Sequence, residues 1–168
     1  MAEDHLDAVV ANAVGRFNDR ADRLGFLEAY SPDVILHGYP QGMNGVDGLR
    51  RFHAAMWDAF PDARIEVDDA IVEGDRVALR YRLTGTHRRG YLGVAATGLP
   101  IDVQGMMVVR VEGGRVAEEW HSPTELSILR QLGAIEVHMV SEERERVPRR
   151  SASAEAAALR WEEQHGDS

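Results

Sequence analysis

The chain of 168 residues contains no cysteine and no lysine. Without cysteine it can form no disulfide bond, no thiolate nucleophile and no zinc–thiolate site. All 19 basic residues are arginines scattered along the sequence, and the formal net charge is −9. Because an acidic chain without a separate basic patch is repelled by nucleic-acid phosphates, we expect no nucleic-acid partner.

Long apolar runs are also missing. No stretch approaches the roughly 20 apolar residues of a membrane span, so no membrane partner is expected. The segment Met1-Ala2-Glu3-Asp4 lacks the basic and apolar regions of a secretory signal, which favours a cytoplasmic location. A hydrophobic content of 44% and a charged content of 28% are ordinary for a globular protein, and the length favours one domain.

Periodicity predicts helices first and a sheet afterwards. The first helix carries apolar residues at helical spacing: Leu6, Val9, Val10, Ala13, Val14 and Phe17. A short helix (about 22–29), a short strand (34–37) and a helix from near Asn44 to Phe60 follow. Strands are predicted at 64–72, 76–87, 101–111 and 115–121. This order predicts an α+β fold, a cone-shaped curved antiparallel or mixed sheet packed on three helices and enclosing an apolar pocket.

The cone is predicted to occupy residues 1–135. Residues 136–168 form a separate tail, with a charge run from Ser141 to Arg146 and an alanine-rich, helix-forming segment from Ser151. Such a composition is typical of a solvated, partly disordered tail. The alternative is an arm that packs on a partner subunit, with Leu159 and Trp161 as anchors.

The end of the last predicted strand carries an ionisable side chain, His121. Ser122-Pro123-Thr124-Glu125 predicts a helix start with Ser122 as N-cap and Pro123 at the first helical position, and Gly133 marks the helix end. The positive end of this helix disfavours the charged imidazole. Because an imidazole has an ordinary pKa of about 6.5, it can act as a base near neutrality.

Strand alternation places Ala117 and Glu119 on the same face as His121. Glu119 is therefore a catalytic candidate that could accept a hydrogen bond from the imidazole and orient it. The alternative is a structural histidine bonded to a loop carbonyl.

Several motifs stand in a fixed order along the chain. They are Tyr30-Ser31-Pro32-Asp33, Trp57 to Asp62, Glu73 to Val77, Gly85-Thr86-His87 with Thr97-Gly98, and Glu119-Trp120 followed by Leu129 to Gly133. Across residues 5–135 this order resembles the SnoaL-like polyketide cyclase family of the nuclear transport factor two-like superfamily.

The resemblance implies an intramolecular aldol ring closure without metal or organic cofactor. It also implies an acid/base residue at the end of the last strand, where the family has Asp and this chain has His121. The family's His and Gln, which face the developing enolate, correspond to Met107 and Gly105. Related members with hydroxylase or hydrolase-like activities change these residues too, so the fold does not carry the reaction with it.

Other candidates lie at strand and helix ends. His87, which ends a strand near the predicted pocket mouth, is a catalytic candidate, and His37 ends the first strand near the pocket. Tyr39 and Tyr91 lie in glycine-containing loops that could form the rim and stack on a ring system. Aromatic residues at helical spacing on the long helix form either a ligand platform or core: Trp57 and Phe60.

A metal site would need three ligands from His37, His87, His121, Asp102 and Glu119. No paired-ligand spacing is present, so no metal is expected.

The sequence thus predicts a cofactor-independent cyclase or isomerase-type enzyme of secondary metabolism, such as antibiotic biosynthesis. Its substrate would be a polyketide-like or other flat apolar small molecule, with His121 as the acid/base group. The alternatives are a hydroxylase- or hydrolase-like enzyme on the same fold, or a non-catalytic small-molecule binding protein. A homodimer through the outer face of the sheet is expected.

Overall fold

The computed structural model describes residues 2–136, with side chains from residue 8 onward. The helices are α1 (Ala2–Asn18), a 3₁₀ helix (Arg23–Ala29), α2 (Gly45–Ala59) and α3 (Glu125–Gln131). The strands are β1 (Tyr30–His37), β2 (Arg64–Glu73), β3 (Arg76–Thr86), β4 (Pro100–Glu112) and β5 (Arg115–His121). The predicted tail lies outside the described residues, apart from its first residue, and stays a prediction.

The two long helices bury the faces that their sequence periodicity predicts. α1 buries Val10, Ala13 and Phe17, and α2 buries Leu49 and Met56 among others. α2 ends just before Pro61, which has no N–H to continue the helix. Among the helices of residues 2–136, none combines the length and the hydropathy that a membrane span requires.

The five strands form one open, curved, mixed sheet in the order β1-β5-β4-β3-β2. Strands β2 to β5 form an antiparallel meander, while β1 pairs with β5 in parallel, so the sheet is the mixed one of the two predicted kinds. The inner face of the sheet packs on the helices. The predicted α+β fold is therefore confirmed.

A β-bulge changes which residues of β5 face inward. The register shifts between Arg110 and Val111, and Ala117 has no partner on β4. Val116 therefore shares the inner face with Glu119 and His121, and it is 2% exposed. The expectation for Ala117 is wrong because the extra residue interrupts strict alternation.

The helix after β5 begins later than predicted. α3 starts at Glu125, with Thr124 as N-cap and without a side-chain capping bond. Ser122 is not the cap, because its N–H donates to the Met106 carbonyl at 3.0 Å and so extends the β4–β5 ladder. The predicted helix end is confirmed, since Gly133 follows the C-cap residue with a φ of +73°.

The outer face of the sheet carries its own aromatic contacts. The rings of His37 and Trp120 stack with centroids 5.1 Å apart, and the Arg76 guanidinium lies over the Trp120 ring. Two apolar side chains on this face, Met106 and Ile35, are 60% and 52% exposed. The expected homodimer through this face stays a prediction.

Candidate functional site

The inner face of the sheet and the helices enclose a cavity of about 870 Å³, counting the space at its open mouth. Small-molecule sites are concave and mostly apolar. The apolar wall includes Phe17, Phe26, Phe52, Met56, Leu79, Leu83, Val109 and Ile128. The polar lining residues are Tyr30, Tyr39, His53, Tyr81, Tyr91, Glu119, His121, Thr124 and Glu125. We refer to this space as the central cavity.

His121, the last residue of β5, presents its imidazole to the central cavity. Both ring nitrogens are buried, and neither has a hydrogen-bond partner among the described residues. Burial lowers the pKa of the imidazole below its ordinary 6.5, and the charge of Glu125 acts in the opposite direction. The ring is therefore a neutral base near pH 7, and the main cause is desolvation.

Glu119 lies two residues earlier on the same face and is 1% exposed. The Tyr39 hydroxyl donates to its Oε1 at 2.5 Å. Burial raises the pKa of this carboxyl, while the bonds from Tyr39 and Tyr30 lower it. Although the Tyr30 hydroxyl lies close enough to act on the pKa, Oε2 has no partner that meets hydrogen-bond geometry.

The expected hydrogen bond from His121 to Glu119 is absent. Glu119 Oε1 accepts a hydrogen bond from the Tyr39 hydroxyl instead. The centroids of the Tyr39 ring and the imidazole are 5.0 Å apart. Burial, more than any charge, raises the pKa of Tyr39 well above its ordinary value, so its hydroxyl remains a donor. Glu119 therefore orients Tyr39, which in turn contacts the imidazole.

A close backbone contact holds the loop that carries Tyr39. Gly38 has a φ of +81°, and a Cβ added there would collide with the His121 carbonyl oxygen. Only glycine combines this conformation with this approach. The loop is thereby fixed against the end of β5.

Substitution of Gly38 tests this contact. Gly42, in the same loop, has a φ of +82° and nothing within 4 Å of an added Cβ. Gly42→Ala is expected to lower the free energy of unfolding by about 1 kcal/mol, the cost of a left-handed residue. Gly38→Ala is expected to cost more, because the collision adds to that strain. Urea denaturation of both variants measures the difference, and equal losses would show that the contact is relieved by a small shift.

One cavity residue, Glu125, escapes sequence analysis. Its Oε2 is buried without a partner among the described residues, and its charge acts on His121, Tyr81 and Tyr91. A glutamate three residues after a serine is typical of a capping box, so the sequence gives no signal for this role.

Two cavity tyrosines, Tyr30 and Tyr81, were also missed. Both are buried. Tyr81 falls on the apolar alternation of its strand, between Leu79 and Leu83. The available signal was that a buried tyrosine hydroxyl usually needs a partner.

Three of the predicted substrate-binding residues line the central cavity: Tyr39, Tyr91 and Met107. The others do not. Gly105 faces inward but lies under the Tyr81 ring. His37 is on the outer face, because parallel pairing places it beside Trp120. There its Nε2 lies 2.9 Å from Glu118 Oε1.

The remaining corrections concern aromatic packing. His87 is fully buried outside the cavity, where the Thr97 N–H and hydroxyl lie 3.2 and 3.1 Å from its Nδ1. Its ring stacks on Phe60, with centroids 5.2 Å apart, so both residues anchor the loop after β3. Trp57 packs against Phe17 at 5.4 Å and is core rather than a ligand platform.

The histidines considered as metal ligands are thus separated. Within residues 2–136, no group of three or more His, Asp or Glu side chains could hold a metal ion.

Solved structures with the same architecture come from several bacteria. AclR from Streptomyces galilaeus, provisionally assigned as a hydroxylase, is 28% identical with a TM-score of 0.71, over 80% of this chain and 99% of AclR. IdmH from Streptomyces antibioticus, provisionally assigned as a polyketide cyclase, is 29% identical with a TM-score of 0.66, over 76% of this chain and 98% of IdmH. A SnoaL-like protein from Jannaschia sp. CCS1 is 25% identical with a TM-score of 0.64, over 77% of this chain and 94% of its own.

No curated protein matches the chain in sequence. The profile of the SnoaL-like polyketide cyclases matches residues 8–132. This match covers well over half of the chain. The sheet order and the solved structures agree with it. The protein belongs to the SnoaL-like polyketide cyclase family.

Proposed function

We propose that this protein is a cyclase-type enzyme that closes a ring in a flat apolar carbonyl compound by acid/base chemistry, without a cofactor. The family and the similarity to IdmH support the reaction class. The apolar wall of the central cavity supports the substrate class.

One observation carries the proposal, the state of His121. Its two ring nitrogens are buried in the central cavity and free of partners among the described residues. A structural histidine in such a place would normally spend at least one nitrogen on a protein hydrogen bond. A neutral imidazole with its lone pair available is what a general base requires.

The proposed reaction balances without an external oxidant. The imidazole removes a proton from a carbon next to a carbonyl, and the negative charge moves to the carbonyl oxygen. The carbon then bonds to a second carbonyl of the same molecule. The new alkoxide takes the proton back from the imidazolium, so the product has the mass of the substrate.

A simple proton-transfer substrate tests the base. When a base removes the ring C–H proton of 5-nitrobenzisoxazole, the N–O bond breaks and a coloured cyanophenolate forms. We expect kcat/KM to rise with pH and to level off above a midpoint below 6.5, because burial lowers the pKa of His121. Stopped-flow absorbance over a pH series measures the profile. Absence of turnover, or a midpoint above 6.5, would contradict the proposal.

A diketone tests the ring closure itself. In heptane-2,6-dione, removal of a methyl proton lets that carbon attack the distant carbonyl and form 3-hydroxy-3-methylcyclohexanone. Gas chromatography follows the product. Binding of the diketone without any product would favour the non-catalytic binding protein instead.

A second candidate is a hydroxylase-like activity, which the similarity to AclR favours. A hydroxylation adds one oxygen atom to the substrate and consumes an oxidant, whereas the ring closure leaves the mass unchanged. Mass spectrometry of the product therefore separates the two.

A further inference from the structure

Tyr81 occupies space that a glycine leaves open. It lies on the inner face of β3 and pairs with Gly105 of β4. A Cβ at Gly105 would lie 2.8 Å from Tyr81 Cε2 and closer still to Cζ and the hydroxyl oxygen. The Tyr81 ring is therefore folded across β4, and its hydroxyl lies where a side chain at position 105 would begin. Any residue larger than glycine would displace it.

The Tyr81 hydroxyl is available to a ligand. Tyr81 lines the central cavity, and its hydroxyl has no hydrogen-bond partner among the described residues. Burial, followed by the charges of Glu119 and Glu125, raises the pKa of the phenol above its ordinary value. Since it stays protonated, the hydroxyl can donate a hydrogen bond throughout the range in which the imidazole acts as a base.

Strand pairing sets this hydroxyl near the proposed base. Met107 pairs with His121, and Gly105 is the next inward position on β4. Diagonal positions on neighbouring strands are about 7–8 Å apart. A carbonyl group lying between the two positions could therefore be reached from both sides, with its oxygen toward Tyr81 and its adjacent carbon toward His121.

We propose that the Tyr81 hydroxyl donates a hydrogen bond to the carbonyl oxygen that becomes negatively charged when His121 removes a proton. The inference rests on the proposed function and identifies the hydrogen-bond donor that its negatively charged oxygen needs. Met107 has no donor and Gly105 has no side chain, so β3 supplies the donor that β4 lacks. The substrate group at this position is a ketone or ester carbonyl, an acceptor.

Removal of the hydroxyl tests the role kinetically. Tyr81→Phe keeps the ring over Gly105 and is expected to lower kcat for heptane-2,6-dione by about 10²- to 10³-fold, as for other oxyanion donors, with little change in KM. Thr84→Val, which removes a hydroxyl from the same strand outside the central cavity, is the control and should keep full activity. If Tyr81→Phe keeps full activity while His121→Ala loses it, the inference is overturned and the proposed function stands.

A bound ketone tests the hydrogen bond without catalysis. The ¹³C-labelled carbonyl of 1-tetralone, a flat compound that only accepts hydrogen bonds, should vibrate at lower frequency in the wild-type protein than in hexane. Tyr81→Phe should remove this infrared shift, and Gly105→Ala should weaken it by displacing the tyrosine ring. A shift that persists in Tyr81→Phe, or failure of 1-tetralone to bind, overturns the inference. A shift that depends on Tyr81 in a protein that turns over neither test compound supports the hydrogen bond and overturns the proposed function.

Discussion

Replacing His121 by alanine is expected to lower turnover of 5-nitrobenzisoxazole by about 10²- to 10⁴-fold, the usual contribution of a general base. The thermal midpoint should change little, because neither ring nitrogen bonds to another described residue. Steady-state kinetics and a melting curve on the same preparation measure both quantities. A parallel loss of activity and stability would identify His121 as a structural residue instead.

Chemical rescue makes this test sharper. The alanine variant leaves space for a free imidazole beside Tyr39 and Phe52, whose rings lie 5.0 and 6.2 Å from the His121 ring. Added imidazole should restore part of the turnover in His121→Ala and none in His121→Gln, where the side chain still fills the site without a basic nitrogen. Equal responses of the two variants would mean that the added imidazole acts in solution.

Acidification is expected to destabilise the fold through His53. This side chain is buried among aromatic rings, and its Nδ1–H donates to the Leu49 carbonyl at 3.0 Å. Burial lowers its pKa from 6.5 to about 4, the Leu49 bond opposes the change, and His121 adds to it. His53 binds a proton more readily in the unfolded chain than in the folded one. The stabilisation that the neutral His53 gives the fold is therefore complete above pH 6.5 and is lost as the pH falls toward 4.

The size of this effect is on the order of 3 kcal/mol, because each unit of pKa difference corresponds to about 1.4 kcal/mol. Urea unfolding between pH 7 and 4 measures it. His53→Leu cannot titrate at this position, so acidification over this range should cost it less free energy of unfolding than it costs the wild type. Parallel curves would show that other groups cause the acid sensitivity.

Glu119 changes the free energy of unfolding with pH in the direction opposite to His53. Its pKa is raised from 4.5, so its stabilisation is present below pH 4.5 and is lost as the pH rises through the folded-state value. The wild-type curve therefore sums opposing slopes, and only comparison with His53→Leu isolates the histidine.

The fold could be predicted because its signals are local. The helical spacing in α1 and α2 and the stop at Gly133 each depend on neighbouring residues. The errors arose where a tertiary contact overrode a local rule. Ser122 has the right chemistry for a cap, but its N–H belongs to the sheet ladder. Ala117 falls on a bulge, which strict alternation cannot show.

The site could be predicted only in part, for the same reason. His121 and Tyr39 line the central cavity, and the positions of both follow from predicted strands, since His121 ends β5 and Tyr39 lies two residues after the end of β1. Strand-end position alone does not say which face a histidine takes, so His37 and His87 were placed at the pocket although neither lines it. The positions of Tyr81 and Glu125 in the central cavity depend on a glycine across the sheet and on the true helix start, which are properties of the assembled fold.

The parallel pairing of β1 with β5 has a consequence for how members of this family diverge. Two parallel neighbouring strands end at the same edge of the sheet. The exposed residues 40–42, which follow β1, therefore lie on the same side as the segment that follows His121. Insertions or deletions at the tip of this loop could alter which molecules are admitted while Gly38 keeps the loop base fixed against the imidazole's own backbone. Selection on substrate choice and selection on reaction chemistry can then act on separate stretches of sequence.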